Sequence, residues 1–264
     1  MTALDRLCAA LDDAIPGRPA AFGLVQESDV PGWHPLIGFD FSTWCADDTA
    51  VSGLGVAEVL GTAVLGRVVA ALALTGWAID PTALVLHRHD LGFVDAVALR
   101  RPVALVGPAD PAAGAADTEV VADPIRWAAA HAVAVLGPVL DRIAAATRPG
   151  PLWDVVADSV RGAATTLTLY GPERATAPDV ADALVAALAA HGAPVRPARR
   201  EIVHAAGRRF EVAVRVTCCL LWTTVAAGER ATAYCTACPH LDAAARATRF
   251  TAYAEQAQRQ SPAG

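Results

Sequence analysis

Residues 209–219 read RFEVAVRVTCC and contain the clearest strand pattern of the chain. Over residues 209–217 large apolar side chains alternate with polar or small ones, the period of two that is typical of a half-buried β-strand. The strand leads directly into two adjacent cysteines, Cys218 and Cys219. Neighbouring residues on a strand point to opposite faces, so both thiols can reach one metal only if the backbone leaves the strand at this pair. The sequence therefore predicts a strand that ends at a cysteine site.

A second cysteine pair follows 15 residues later, as Cys235-Thr-Ala-Cys238-Pro239. Pro is favoured at the first position of a helix, so the pattern predicts a helix over residues 240–257 whose N-terminal dipole faces the thiols. Clustered thiols in a chain without a secretion signal are more typical of metal or redox sites than of structural disulfides. The spacing alone favours zinc over an iron-sulfur cluster. A thioredoxin-like redox pair is the weaker third interpretation, because no βαβ pattern surrounds it.

The same residues resemble the C-terminal signature of the FhuF-like ferric-siderophore reductases. The matching segments are Arg215-Val-Thr-Cys218-Cys219-Leu-Leu-Trp222 and Tyr234-Cys235-Thr-Ala-Cys238-Pro239. The resemblance covers about residues 209–241, and a fainter match lies at Leu152-Trp153, at the start of a predicted helix. The gap between the two cysteine pairs is longer than is usual in that family. Loop length costs little closure entropy, so we expect ligation to survive the longer gap.

The resemblance implies a 2Fe-2S cluster, rather than zinc, held by Cys218, Cys219, Cys235 and Cys238. It implies an enzyme, a ferric-chelate oxidoreductase that passes one electron from this cluster to Fe(III) in a siderophore, with a hydroxamate siderophore expected. Hydroxamate oxygens are hard ligands that prefer ferric iron, so reduction releases Fe(II). The electron is expected from an external donor, a ferredoxin or a flavin-linked reductase. Two alternatives stay open: a zinc-stapled, non-enzymatic binding protein, and a 2Fe-2S electron carrier or sensor without a siderophore substrate.

The charges are distributed unevenly between two parts of the chain. Residues 196–264 carry ten arginines and five acidic residues, whereas residues 1–195 carry 11 and 22. Arginines near a cluster stabilise its more negative reduced form. Arg215 is therefore a candidate for the cluster environment. His240 is a second candidate, because it stands just after the last cysteine pair and could form a hydrogen bond to the cluster. His87, Arg88 and His89 are candidates for substrate contact, since strand alternation would place both histidines on one face.

The rest of the chain predicts a helix-dominated α+β fold. Hydrophobic residues make up 54% of the 264 residues and charged residues 18%, which excludes a disordered chain. Strand signals do not alternate regularly with helices, which favours α+β over a doubly wound parallel sheet. We expect a helix-rich, substrate-binding part over residues 1–195 and a cluster-binding strand-loop-helix segment over residues 196–264. The predicted helices that pack together are 124–146, 152–169 and 180–191; the strands of a small antiparallel sheet are 83–89, 93–99 and 102–106.

No export signal is visible, because charged residues interrupt residues 1–20 where a signal peptide needs an apolar run. The expected location is the cytoplasm. Residues 51–79 are apolar, but Glu58 and Arg67 interrupt them, which favours a buried core helix over a membrane span. Peripheral contact with a membrane stays open, and no nucleic-acid partner is expected.

Overall fold

The computed structural model describes residues 1–15, 23–24, 33–36, 50–89, 94–101, 103–147, 150–171, 174–218, 220, 223 and 234–260. Its architecture is α+β, as predicted. The helices are α1 (Ala3–Asp12), α2 (Ala50–Leu60), α3 (Gly66–Thr75), α4 (Pro124–Thr147), α5 (Leu152–Leu169), α6 (Ala177–Ala190) and α7 (Ala243–Gln260). The strands are β1 (Trp33–Pro35), β2 (Leu84–Arg88), β3 (Val94–Leu99), β4 (Ala104–Val106), β5 (Thr118–Val120), β6 (Arg200–Ala205) and β7 (Arg208–Ala213).

The main core surrounds a long apolar rod in which a π-helical turn, Gly61–Leu65, joins α2 to α3. Helix α5 packs along this rod, and α6 packs against both α4 and α5. The three predicted helices are thus present and share one core. The segments Ser52–Thr75 and Pro124–Thr147 are long and apolar enough to cross a membrane by length and composition, a test that core helices also satisfy. The first of them is largely buried inside the protein.

Gly61 lies directly against α5. A Cβ atom at this position would lie 2.8 Å from Cβ of Ser159 and 3.0 Å from Cα of Val156. We expect Gly61→Ala to destabilise the fold by about 1 to 3 kcal/mol, because the backbone of α5 would have to move. The matched control is Gly55→Ala in the same rod, where a Cβ meets nothing within 4 Å. It should stabilise the protein by about 0.5 to 1 kcal/mol through helix propensity alone. Urea denaturation measures both, and equal effects would contradict the close approach.

The predicted antiparallel sheet is present, but one of its three strands differs from the prediction. Strands β1, β2 and β3 form it in that order. The prediction that residues 102–106 belong to this sheet is wrong, because β4 pairs in parallel with β5 instead. All three residues of β4 are buried, which is typical of strands in parallel sheets. The intervening residues 107–117 form compact turns in which Asp110 accepts a hydrogen bond from Nε1 of Trp77 at 2.7 Å.

Strands β6 and β7 form an antiparallel hairpin near the C-terminal end of the chain. Its two turn residues, Ala206 and Gly207, have φ values of 50° and 72°, as a tight hairpin turn requires. The hairpin packs on α7 in a small second hydrophobic cluster, in which the rings of Phe210 and Phe250 meet edge to face at 5.3 Å. Strand β7 contacts α5, and strand β6 contacts α7. The predicted division of the chain after residue 195 stays a prediction.

Candidate metal centre and adjoining cavity

The strand predicted over residues 209–217 ends earlier than expected, so the chain has left strand geometry before it reaches the first cysteine pair. Strand β7 ends at Ala213, and Val216 and Thr217 form a bend. The carboxylate of Asp158 on α5 holds this bend by accepting hydrogen bonds from the backbone N–H groups of Val216 at 2.9 Å and Thr217 at 3.0 Å. Two N–H groups that could have continued the strand are thereby turned toward α5. This contact fixes the direction of the chain that leads to Cys218.

Asp158 is a buried charge with an unusual set of partners. Its side chain is 1% exposed, and the guanidinium groups of Arg161 and Arg215 lie 3.6 and 3.8 Å from its oxygens. Burial is the largest influence on the pKa of Asp158 and raises it, while the backbone donors and the two arginines lower it. The ionised form in the folded protein therefore depends on these partners.

The described thiols of both cysteine pairs come together at the end of β7. The thiol of Cys238 interacts with those of Cys218 and Cys235. The backbone N–H of Leu220 donates to Sγ of Cys218 at 3.3 Å, and the backbone N–H of His240 donates to the thiol of Cys238. N–H donors of this kind stabilise thiolates and tune bound metal centres. Cys219 lies outside the described residues, as does Cys45.

Two further observations concern the ability of the described thiols to bind a metal ion. Burial, the largest influence, raises the pKa of Cys238, and the neighbouring Cys218 raises it further. A bound cation would favour the thiolate that this environment disfavours. Among the side chains that the structure describes, no group of three His, Cys, Asp or Glu residues is arranged to hold a metal ion. Cys219 was not part of that set, so the predicted ligand set of four cysteines stays a prediction.

Arg246 of α7 fixes the second cysteine pair. It is 3% exposed and donates through Nη1 to the carbonyl oxygen of Cys238 at 3.2 Å and to that of Leu241. Its Nε and Nη2 atoms donate to the two carboxylate oxygens of Glu201 on β6, at 2.8 and 2.6 Å. Arg246 thus ties the turn that carries Cys238 to the β6–β7 hairpin.

The predicted helix start at Pro239 is wrong, because α7 begins at Ala243. Residues 236–240 form turns instead. Asp242 caps the helix by accepting a hydrogen bond from the backbone N–H of Ala245 at 2.7 Å. The turns are what bring the carbonyl groups of Cys238 and Leu241 to Arg246. These turns consequently separate the N-terminus of α7 from the second cysteine pair.

The ion pair between Glu201 and Arg246 predicts an acid-sensitive contact. The hydrogen bond from Arg246, the largest influence, lowers the pKa of Glu201 below its ordinary value of 4.5. Such a carboxylate stabilises the fold above its unfolded pKa, and this contribution disappears as the pH falls through the lower folded value. We expect Glu201→Gln to lower the melting temperature near neutral pH and to have a shrinking effect below about pH 4.5. The exposed Glu255→Gln is the control, and a Glu201→Gln effect independent of pH would contradict the ionic contribution.

The two residues predicted for the cluster environment contact the site through their backbones. The N–H of Arg215 donates to the carbonyl oxygen of Ala237, between the second pair of cysteines, at 3.0 Å. Its guanidinium group binds Glu58, with N–O distances of 2.8 and 3.2 Å. His240 reaches Cys238 through its backbone N–H, and its ring lies 6.0 Å from that of Tyr234. Both residues therefore border the thiols.

A cavity of about 570 Å³ opens beside the second cysteine pair. It lies between the α2 rod, α5, β7, α7 and the segment 235–237. Its wall includes one thiol, Cys235, and the charged residues Glu58, Asp158, Arg161 and Arg215. A smaller cavity of about 270 Å³ shares Glu58 with it and extends to Asp95 of β3. The larger cavity thus places one thiol of the second pair on its wall.

The predicted substrate residues do not line the larger cavity. Nδ1 of His87 lies 2.6 Å from Oδ1 of Asp95, and the imidazole ring packs against Trp33. The register of the β2–β3 pair shifts between His87 and Arg88, and β2 ends there, so alternation does not place His89 on the face of His87. The side chain of Arg88 and all of Asp90 lie outside the described residues. A role for His87, Arg88 and His89 in substrate contact stays a prediction.

Sequence reasoning missed Asp158, Arg246 and Glu201. Asp158 did carry a signal, since a charged residue within an apolar helical pattern is buried only when it is paired.

Comparison of the chain with protein-family models, with curated proteins and with solved structures finds no match.

Proposed function

We propose that this protein is an oxidoreductase that reduces Fe(III) in a siderophore by transferring one electron to it. The observation that carries the proposal is the convergence of Cys218, Cys235 and Cys238, with Cys235 also lining a cavity large enough for a small ligand. A metal centre bound by these thiols would lie close to any molecule that binds in the cavity. The resemblance to the FhuF-like ferric-siderophore reductases supports the same interpretation.

The donor chemistry of the site suits the implied cluster. Thiolates from Cys218, Cys219, Cys235 and Cys238 would hold it. A 2Fe-2S cluster bound by four thiolates supplies a centre that gains and loses one electron at a time. The protein's own residues contribute N–H donors to two sulfurs and fix both cysteine segments through Asp158 and Arg246. The guanidinium group of Arg246 interacts with the thiol of Cys238 and favours its negatively charged form.

The reaction balances with one electron and an external donor. A ferredoxin or a flavin-linked reductase supplies the electron, Fe(III) becomes Fe(II), and the siderophore ligands leave the reduced ion, which they bind weakly. No bond within the siderophore has to break, so the chain needs no acid-base residues. The proposed place of this reaction is the cytoplasm, where imported chelates would release their iron.

The test is an anaerobic purification followed by metal analysis, an ultraviolet-visible spectrum and electron paramagnetic resonance before and after dithionite. We expect about two irons per chain and a visible spectrum that bleaches when a paramagnetic reduced state forms. Mixing the reduced protein with a ferric trihydroxamate should then reoxidise it and release Fe(II), trapped by a ferrous chelator. One zinc per chain without visible absorption would leave the zinc-stapled binding protein. A reducible cluster that ignores every ferric chelate would leave an electron carrier or sensor.

A further inference from the structure

The residue that leads into the first cysteine pair, Thr217, is held at two different atoms. Its backbone N–H donates to Oδ2 of Asp158 at 3.0 Å. Its hydroxyl oxygen accepts a hydrogen bond from Nη2 of Arg196 at 3.2 Å. Thr217 is 7% exposed and directly precedes Cys218. The first contact fixes where Thr217 lies, and the second also fixes its orientation.

Arg196 is itself anchored by a buried carboxylate of α5. Its backbone N–H donates to Oδ1 of Asp154 at 2.7 Å, and its Nε donates to Oδ2 at 2.6 Å. The side chain of Asp154 is 1% exposed, whereas that of Arg196 is 58% exposed. A buried carboxylate needs donors, so this contact is specific although the arginine faces solvent. The guanidinium group of Arg196 therefore bridges α5 and Thr217.

The bridge joins two carboxylates of α5 that hold the β6–β7 hairpin. Asp154 and Asp158 are four residues apart on this helix, so they lie on the same face. Asp154 accepts from the chain before β6, and Asp158 accepts from the chain after β7. Because Arg196 binds Asp154 and Thr217 at the same time, it connects these two contacts.

We propose that Arg196 is a positioning residue for Cys218. Its bridge from Asp154 to Thr217 restricts rotation of the chain at Thr217 and keeps the thiol of Cys218 directed toward that of Cys238, with which it interacts. The inference goes beyond the proposed function, because a zinc site and an iron-sulfur site would both need this orientation. Arginine suits the role, since its rigid fork offers separate donors to two acceptors and lysine has no such fork.

Two substitutions break the bridge from its two ends. Arg196→Gln removes the guanidinium group, and Thr217→Val removes the hydroxyl with little change in side-chain size. The matched control is Arg209→Gln. Arg209 is 57% exposed and forms an ion pair with Glu211 at 2.9 Å, but it lies near the turn of the hairpin, where it pairs with His204. Melting temperatures establish that all three variants fold.

The measurement is the rate at which iodoacetamide alkylates each cysteine pair in the reduced, metal-free protein, so no cofactor is required. Trypsin separates the two pairs, because the first lies in residues 216–230 and the second in residues 231–246. Fragment spectra then assign the label to Cys218. We expect Arg196→Gln and Thr217→Val each to raise the rate at Cys218 about fivefold, the effect of losing one hydrogen bond that limits a local opening. The second pair, and Arg209→Gln at both pairs, should keep the wild-type rates.

The double variant and a lysine variant separate the bridge from a general loss of stability. Both single substitutions break the same contact, so the double variant should be alkylated at Cys218 no faster than the faster single variant. Arg196→Lys keeps the charge but not the fork, so it should remain faster than wild type. Wild-type rates in both single variants, multiplied effects in the double variant, or full restoration by lysine would overturn the inference.

The failure of this inference can be told apart from that of the proposed function. If metal analysis finds zinc while the bridge variants still expose Cys218 to alkylation, the reductase proposal fails and the role of Arg196 stands. If the protein carries a cluster and reduces a ferric chelate while the bridge variants are alkylated like wild type, the reductase proposal stands and Arg196 does not position Cys218.

Discussion

Cys238→Ser is expected to purify without bound iron and without visible absorption. The thiol of Cys238 interacts with Cys218 of the first pair and with Cys235 of its own pair, so it connects the two pairs. Serine is nearly the same size and fits the buried position, but its hydroxyl is a poor ligand for iron beside thiolates. The expected change is from about two irons per chain to almost none. Iron analysis and the anaerobic spectrum measure it.

Cys8→Ser is the matched control for this loss. Cys8 is also a thiol and is half-buried, but it lies on α1, and burial is the main influence that raises its pKa. We expect Cys8→Ser to keep the full iron content and spectrum of the wild type. Retention of two irons by Cys238→Ser would exclude Cys238 as a ligand. Loss of zinc rather than iron in the same variant would support the structural-zinc alternative.

The sequence predicted those features that depend on local patterns. Helix α5 has the predicted bounds, because a breaker stands at each end of its apolar repeat. The chain also leaves strand geometry before the two adjacent thiols, which cannot share one face of a strand, although it does so four residues earlier than the pattern predicted. Both predictions needed only residues that are close in the sequence.

Features that depend on long-range pairing were beyond the sequence pattern. Asp158 binds the N–H of Thr217, 59 residues away, and Arg246 binds Glu201, 45 residues away. The exchange of β4 into a parallel pair and the binding of His87 to Asp95 likewise depend on which segments meet in three dimensions. Pro239 is a local signal for a helix start, but the tertiary structure overrides it. The turns around Cys238 supply carbonyl groups to Arg246 instead.

Two buried charges of opposite sign hold the thiol segments from opposite ends. Asp158 accepts from N–H groups just before Cys218, and Arg246 donates to carbonyl groups at and after Cys238. An anion suits exposed N–H groups and a cation suits exposed carbonyl groups, so each charge satisfies backbone that has left regular structure. Neither residue is a predicted ligand. Their effect on the site is to position it, and this predicts that removing either charge costs stability as well as metal.

Asp158→Ala is expected to lower the free energy of unfolding by about 3 to 5 kcal/mol, the usual cost of removing one partner from a buried charge network. The substitution leaves the N–H groups of Val216 and Thr217 without their acceptor and leaves Arg161 and Arg215 with one fewer carboxylate. Urea denaturation followed by circular dichroism measures the change. Because the bend before Cys218 loses its anchor, the iron content should fall as well.

The control for Asp158→Ala is Asp141→Ala, at an exposed position on α4, which should change stability by no more than about 0.5 kcal/mol. Asp158→Asn separates the two contributions of the carboxylate. Its amide oxygen can still accept from the backbone N–H groups but carries no charge for the two arginines, so we expect a loss intermediate between wild type and Asp158→Ala. If Asp158→Ala unfolds within about 1 kcal/mol of wild type and keeps its iron, Asp158 does not position the cysteine site, and the bend at Val216 must be held by the packing of β7 against α5 alone.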